Sequence, residues 1–288
     1  MLSKDFTVPE VQILMTGLVL CESPRWHDGR LWLSDWGAQE IIAVDLSGNR
    51  EVIARVPSLP FSIDWLPDGR LLVVNARENR LQRMESDGSL VTHAELGGLS
   101  RYGCNEIVVD GRGNIYLNNI NFEFPGGDFA PGFIALLTPD GRLRQVADNV
   151  AFPNGMGVTP DNSTLILAES YGRKLTAFDI AADGDLSNRR VWADLDGAFP
   201  DGICLDAENA VWYADVPNKR CVRVREGGEV LQTVELDRGC FACMLGGEDK
   251  KTLFLVANEW GGSADIASAT RTGQVLTVKA AAPGVGWP

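Results

Sequence analysis

The sequence predicts an all-β fold, a six-bladed β-propeller of four-stranded antiparallel blades. Three observations carry that reading. Six segments repeat one plan at a period of roughly 40 to 50 residues, the spacing of propeller blades. The turns within the repeats, HDGR, PDGR, GRGN, PDNS and AENA, each carry residues that accept positive φ. Alternating β-branched and aromatic residues flank these turns, and no stretch shows a sustained helical period.

The first unit is PRWHDGRLWLSDWGAQEIIAVDLSGNREVIARV and the second SIDWLPDGRLLVVNARENRLQRMESDGSLVTHAEL. The third, EIVVDGRGNIYLNNINFEF to GFIALLTPDGRLRQVADNV, carries a long insertion. The fourth is GVTPDNSTLILAESYGRKLTAFDIAADGDLSNRRVWADL and the fifth ICLDAENAVWYADVPNKRCVRVREGGEVLQTVEL. The sixth, MLGGEDKKTLFLVANEWGG to ASATRTGQVLTVKA, diverges most. VPEVQILMTG, near the start, is strand-like without a hairpin of its own. It is expected to pair beside GQVLTVKA and complete the last blade, so residues 1–288 are read as a single domain.

Composition narrows the function classes. A hydrophobic fraction of 45% and a charged fraction of 23% are those of a soluble globular protein. A net charge of −13 argues against a nucleic-acid partner, which requires basic surface to displace counterions. No apolar run reaches the length of a membrane span, and the N-terminal residues lack a secretory pattern, so a cytoplasmic location is expected. The 6 cysteines read as buried reduced thiols. CFAC at 240–243 has no second pair to complete a zinc site. With only 2 histidines, His27 and His93, a three-histidine zinc centre is excluded and a Ser-His-Asp triad disfavoured. The Gly-rich GGDFAPG has no following helix to cradle a phosphate.

The repeats align on Trp26, Trp65, Val109, Val158 and Leu205. Four positions earlier stand Glu22, Phe61, Asn105, Asn154 and Asp201, with Phe241 as the counterpart in the sixth unit. Equivalent positions in a ring face one axis. Glu22, Asn105, Asn154 and Asp201 would then offer hard oxygen donors to one divalent cation of the calcium, magnesium or manganese type. Gly155 and Gly202 are expected to turn the backbone sharply and leave room beside it. The competing reading is that these side chains only cap strand ends, as Asn and Asp do in turns. Glu169 and Asp215, which follow inner strands, are read as such caps.

CESPRW, NEIVVDGRGNIY, FPNGMGVTPDNSTLILAES and PDGICLDAENAVWYAD resemble the senescence marker protein/gluconolactonase (regucalcin-like, luciferin-regenerating-enzyme-like) family over essentially the whole chain. The resemblance implies a six-bladed propeller holding one divalent metal at the channel mouth and hydrolysing sugar lactones or related cyclic esters. It puts metal ligands on Glu22, Asn154 and Asp201, with Asn105 near both metal and substrate. A substrate-contacting glutamate of the third-blade insertion falls on Glu123. Calcium leads as the metal, with zinc, manganese, magnesium or iron(II) as the others. Two departures stand out: Glu106 follows Asn105 where the family commonly has Asp, and Gly103 occupies a place where some sugar lactonases carry Arg, leaving Arg101 as the nearby cation. Arg101, Glu106 and Phe61 are therefore placed among the substrate contacts. With Tyr102, Phe122 and Phe124 near the rim, the expected substrate is less polar than an aldonolactone.

The mechanism these residues imply is Lewis-acid activation of the lactone carbonyl with water attack, the water being either deprotonated by Asp201 as general base or bound to the metal as hydroxide. The alternative is a non-hydrolytic propeller stapled by its metal, acting as a binding protein or a biosynthetic condensing enzyme.

Overall fold

A computed structural model of the chain describes residues 10–263, 266 and 270–285. Blade 1 comprises β2 (Cys21–His27), β3 (Arg30–Asp35), β4 (Glu40–Val44) and β5 (Arg50–Arg55). Blade 2 has β6 (Phe61–Trp65), β7 (Leu71–Asn75), β8 (Arg80–Met84) and β9 (Leu90–Glu95). Blade 3 has β10 (Ile107–Val109), β11 (Ile115–Asn119), β12 (Gly132–Leu137) and β13 (Leu143–Val150). Blade 4 has β14 (Pro153–Val158), β15 (Thr164–Glu169), β16 (Lys174–Ile180) and β17 (Leu186–Asp194). Blade 5 has β18 (Pro200–Leu205), β19 (Ala210–Asp215), β20 (Arg220–Arg225) and β21 (Val230–Glu235). Blade 6 has β22 (Gly239–Gly246), β23 (Thr252–Asn258) and β24 (Gly273–Lys279), and its outermost strand is β1 (Gln12–Leu18).

The architecture is the predicted six-bladed propeller, and the early strand closes it as expected. β1 runs antiparallel to β24, with Gln12 opposite Thr277 and Leu18 opposite Gly273. Val8 and Pro9 of the predicted closing segment lie outside the described residues. Each innermost strand packs on those of both neighbouring blades, β2 touching β6 and β22, so the ring is continuous. Apolar layers fill the wedges between blades; Ile41 and Phe61 meet in one and Val108 and Leu165 in another. The first hairpin turns through Asp28 and Gly29 at φ 48 and 73, the positive values read from HDGR. Among the described residues no helix is long and apolar enough to cross a membrane.

A ring of buried polar residues ties the mouth together. The second strand of every blade ends in a carboxylate or carboxamide: Asp35, Asn75, Asn119, Glu169, Asp215 and Asn258, none more than 2% exposed. Asp35 accepts the Val19 and Leu20 amides, Glu169 the Ala151 amide and Asp215 the Phe199 amide. Asn258 donates to the Val19 carbonyl. Asn119 donates to the Tyr102 and Gly103 carbonyls, so every cap but Asn75, which accepts the Glu78 amide of its own hairpin, satisfies backbone groups of a loop leading into an innermost strand, groups that would be costly to leave unpaired in the interior. Glu169 and Asp215 are caps, as read from the sequence.

Candidate active site

Local register decides which side chains turn towards the channel. In blade 1, Trp26 pairs with Leu31 and Cys21 with Asp35, with an irregularity between Glu22 and Arg25. Blades 4 and 5 repeat it: Pro153 pairs with Glu169 and Pro200 with Asp215, each with a bulge before regular pairing resumes. Glu22, Asn154 and Asp201 each directly follow the residue paired with a cap, so the extra residue re-aims them. Blade 2 lacks the bulge, and Phe61 itself pairs with the cap Asn75. A one-residue offset in a strand exchanges its two faces. Phe61 is accordingly 0% exposed and packs with Ile41 and Ile63 in the blade 1–2 core, so its placement as a rim contact is corrected.

The bulges also explain the glycines. Gly155 and Gly202 are not positive-φ turn residues, contrary to the expectation. A Cβ on Gly155 would lie 2.6 Å from the Ile203 nitrogen, and one on Gly202 2.5 Å from the Ala242 Cβ. Neighbouring innermost strands approach too closely there for any side chain.

Three candidate ligands interlock. Asn154 donates to the Asp201 carboxylate, and to Ser170 Oγ at 3.4 Å. The Asn105 amide reaches the Pro153 carbonyl at 3.5 Å. Between them lies Asn118, which the sequence reading missed: its Nδ2 donates to the Asn154 carbonyl at 2.6 Å, and its carbonyl accepts the Asn105 amide at 2.8 Å. Its Oδ1 accepts the Glu106 amide at 3.3 Å. The signal was the first of the two adjacent asparagines in YLNN, of which the second, Asn119, is the cap of that strand.

Glu22 and Glu106 line a central cavity of ≈ 10 Å³ together with Arg25, Gly155 and Gly202. Burial lifts the Glu22 carboxyl well above the usual carboxylate range, with the Asp201 and Glu106 charges adding to it. Burial likewise lifts Asp201, followed by the Glu106 charge, while the Asn154 hydrogen bond opposes the rise. Asp201 Oδ1 is shielded from solvent and has no hydrogen-bond partner among the described residues. Neither Glu22 nor Asp201 has an ion pair among the described residues. Glu106 does: Arg25 Nη2 lies 3.4 Å from its Oε2 and donates to the Ile107 carbonyl at 2.8 Å. Arg25, also missed by the sequence reading, stands 3.9 Å from Asp64 as well.

This donor set fits a hard divalent cation. Two buried carboxylates without counter-charge and two carboxamides, whose carbonyl oxygens take no hydrogen bond among the described residues, are oxygen ligands of that kind. Among the described residues no three His, Cys, Asp or Glu side chains group as a metal centre, so the carboxamides would be integral to the set.

Outside this centre, a groove of ≈ 360 Å³ opens between blades 2 and 3 and brings Asn105 together with Glu123, Tyr102, Phe122 and Phe124. Glu123 is exposed in the loop between β11 and β12. Arg101 does not line the groove; it is exposed, with its guanidinium 4.7 Å over the Tyr102 ring. Gly103 has no room for an arginine or any side chain, because a Cβ there would collide with the Ala76 backbone. His27 stacks on Trp65 at 4.2 Å at the far end of β2 from Glu22, and His93 lies in outer strand β9. All six cysteines are free and buried.

The chain is similar to known proteins throughout the ring. The family model described as SMP-30/Gluconolactonase/LRE-like region matches residues 20–259. Diisopropyl-fluorophosphatase of Loligo vulgaris is 26% identical over 204 residues, 62% of this chain and 63% of that protein. Regucalcin of Xenopus laevis is 33% identical over 132 residues, 44% of each. The 6-deoxy-6-sulfogluconolactonase of Pseudomonas putida is 27% identical over 152 residues, 51% of this chain and 52% of that one. The matched stretches thus span from under half to under two thirds of these relatives. The solved structure of a calcium-binding protein, regucalcin, from Agrobacterium tumefaciens shares the fold at a TM-score of 0.79 and 20% identity, covering 96% of this chain and 97% of that one. With the model match running from blade 1 into blade 6, this chain belongs to the SMP-30/gluconolactonase/LRE-like family.

Proposed function

We propose that the chain is a divalent-metal-dependent hydrolase that opens a lactone. The observation that carries this reading is the proximity of Glu22 and Asp201, two buried carboxylates from different blades, neither of them in an ion pair among the described residues. Burying like charges together is costly unless a cation compensates. Glu22, Asn105, Asn154 and Asp201 would hold that cation, calcium being the best match to the donors. When bound, it supplies Lewis-acid polarisation of the lactone carbonyl.

The chain's own groups do the rest. Asn105 faces the groove and positions the ring, and Glu123 accepts a hydrogen bond from a substrate hydroxyl. Asp201 is the general base: its unpartnered Oδ1 takes the proton of the attacking water. Asn154 holds that carboxylate in place. The gluconolactonase in the family description and the sulfogluconolactonase relative support lactones as the substrate class. A small-molecule lactone is the proposed partner.

The test is metal analysis of the purified protein, then a lactone screen of the stripped protein reloaded with calcium, magnesium, manganese, zinc or iron(II). Turnover restored by one cation, and lost in Asp201→Asn with the cation retained, is the expected result. Thermal stabilisation by a cation without turnover of any lactone would overturn hydrolysis and leave a stapled scaffold.

A further inference from the structure

The loop between β11 and β12 builds an aromatic wall on the Asn105 groove. Phe122, buried, sits 6.2 Å from Phe124, 5.8 Å from Phe129 and 5.7 Å from Phe152, centroid to centroid. Phe152 in turn lies 5.0 Å from Phe124 and 4.6 Å from Tyr171. Three of these rings face solvent: Phe124 is 38% exposed, Phe129 53% and Tyr171 47%. Scattered apolar side chains on a surface need no explanation, but a contiguous exposed cluster marks a binding surface.

A second observation points the same way. Phe152 has φ 57, in the left-handed region where a bulky side chain is strained. Its ring nevertheless bridges the insertion of blade 3 and Tyr171 of blade 4. Strain of this kind clusters at ligand sites, where the surroundings enforce it.

We propose that this wall is a subsite for an aliphatic substituent on the substrate ring, making the preferred substrate an alkyl-substituted lactone and not a polyhydroxylated one. The inference rests on the hydrolase reading for where the ring sits. Continuity decides the occupant: Phe122 and Phe124 line the same groove as Asn105, and through their ring contacts they join it to Phe129, Phe152 and Tyr171. A groove of ≈ 360 Å³ is the size of a small-molecule pocket. A sugar ring needs several donors and acceptors around it. Of the five rings of this wall only Tyr171 carries a polar atom, its hydroxyl, and the polar side chains of the adjoining groove, Gln39, Ser58, Arg77 and Glu123, are left to meet the ring itself.

The test uses γ-lactams, which keep the ring carbonyl but resist hydrolysis. Methyl-, propyl- and pentyl-substituted lactams are titrated calorimetrically into the full chain in calcium chloride, beside a polyhydroxylated lactam. Kd is expected to fall roughly fourfold per added methylene that the wall buries fully. In Phe124→Ala and Phe129→Ala, both exposed positions, the pentyl-to-methyl ratio should collapse towards one, while Phe129→Leu keeps it. Thermal melts confirm that the variants fold. Kd independent of chain length, no binding of the pentyl compound, or tighter binding of the polyhydroxylated lactam would each overturn the proposal. Matching lactones are assayed in parallel. Length-dependent lactam binding without lactone turnover keeps the subsite and removes hydrolysis; turnover without length dependence does the reverse.

Discussion

Glu22 of blade 1 and Asp201 of blade 5 are both buried, and burial first, then the nearby charge of Asp201, raise the proton affinity of Glu22. Both carboxyls therefore hold protons more tightly than free ones, and a cation arriving between them competes with protons for the same oxygens. Calcium affinity should rise with pH and calcium binding should release protons, measurable by calorimetry in buffers of different ionisation enthalpy. At about a hundredfold excess over Kd, the cation should stabilise the fold by about 2.7 kcal/mol. Glu22→Gln should weaken calcium binding while making the calcium-free protein more stable at neutral pH. Equal melting temperatures with calcium and with chelator would contradict this.

Asp64 gives a separate pH signature. Burial pushes its carboxyl from 3.8 up to about 6, although Arg25 and the Trp65 and Val109 amides oppose the rise. A carboxyl whose folded pKa is raised favours folding below its unfolded pKa, and that advantage is lost as pH climbs through the folded value. Between about pH 4 and pH 7, wild type should lose about 3 kcal/mol relative to Asp64→Asn. Urea unfolding of both proteins across that range measures it; parallel curves would rule it out.

Asn118 is expected to act as a positioning residue. Asn118→Ala leaves the Asn154 carbonyl and the Glu106 amide without their partner, at about 1–3 kcal/mol for each buried group. Calcium affinity should drop about tenfold or more, as for other residues that orient ligands. Calorimetric Kd values at a temperature well below the variant's melting point distinguish the two effects.

Ring closure can be weakened at one side chain. Leu18, the last residue of β1, is 0% exposed in the layer with Cys21, Leu33 and Val275. Leu18→Ala should cost about 3 kcal/mol by urea unfolding. Ile13→Ala, on the same strand but 62% exposed, should cost about 0.5 kcal/mol or less.

The blades, their turns and the closing strand were legible because each rests on local chemistry that repeats: Asp-Gly turns, alternation, and a strand without a hairpin. The ligand positions were legible because the repeat register is a count of residues. That count fails wherever pairing skips one. It placed Phe61 with Glu22, Asn154 and Asp201, yet only the last three sit in bulges, and nothing within FSIDW distinguishes it from a bulged strand. Gly155 and Gly202 were misread for a related reason: the atoms that demand glycine, at Ile203 and Ala242, belong to other blades. Arg25 and Asn118 were missed because their partners, Glu106 and Asn154, are distant in sequence. Four of the six caps escaped notice since Asp35, Asn75, Asn119 and Asn258 look like ordinary strand ends until their loops fold over them.

The pairing of β1 with β24 has a temporal side. A ribosome makes the clasp's first half before blade 1 and its second only after the first five blades have been synthesised. Throughout that interval Gln12–Leu18 has an unsatisfied edge, open to any passing strand. Growing chains of this protein should therefore depend on chaperones most while blade 6 is still inside the exit tunnel, and least once Gly273–Lys279 has cleared it.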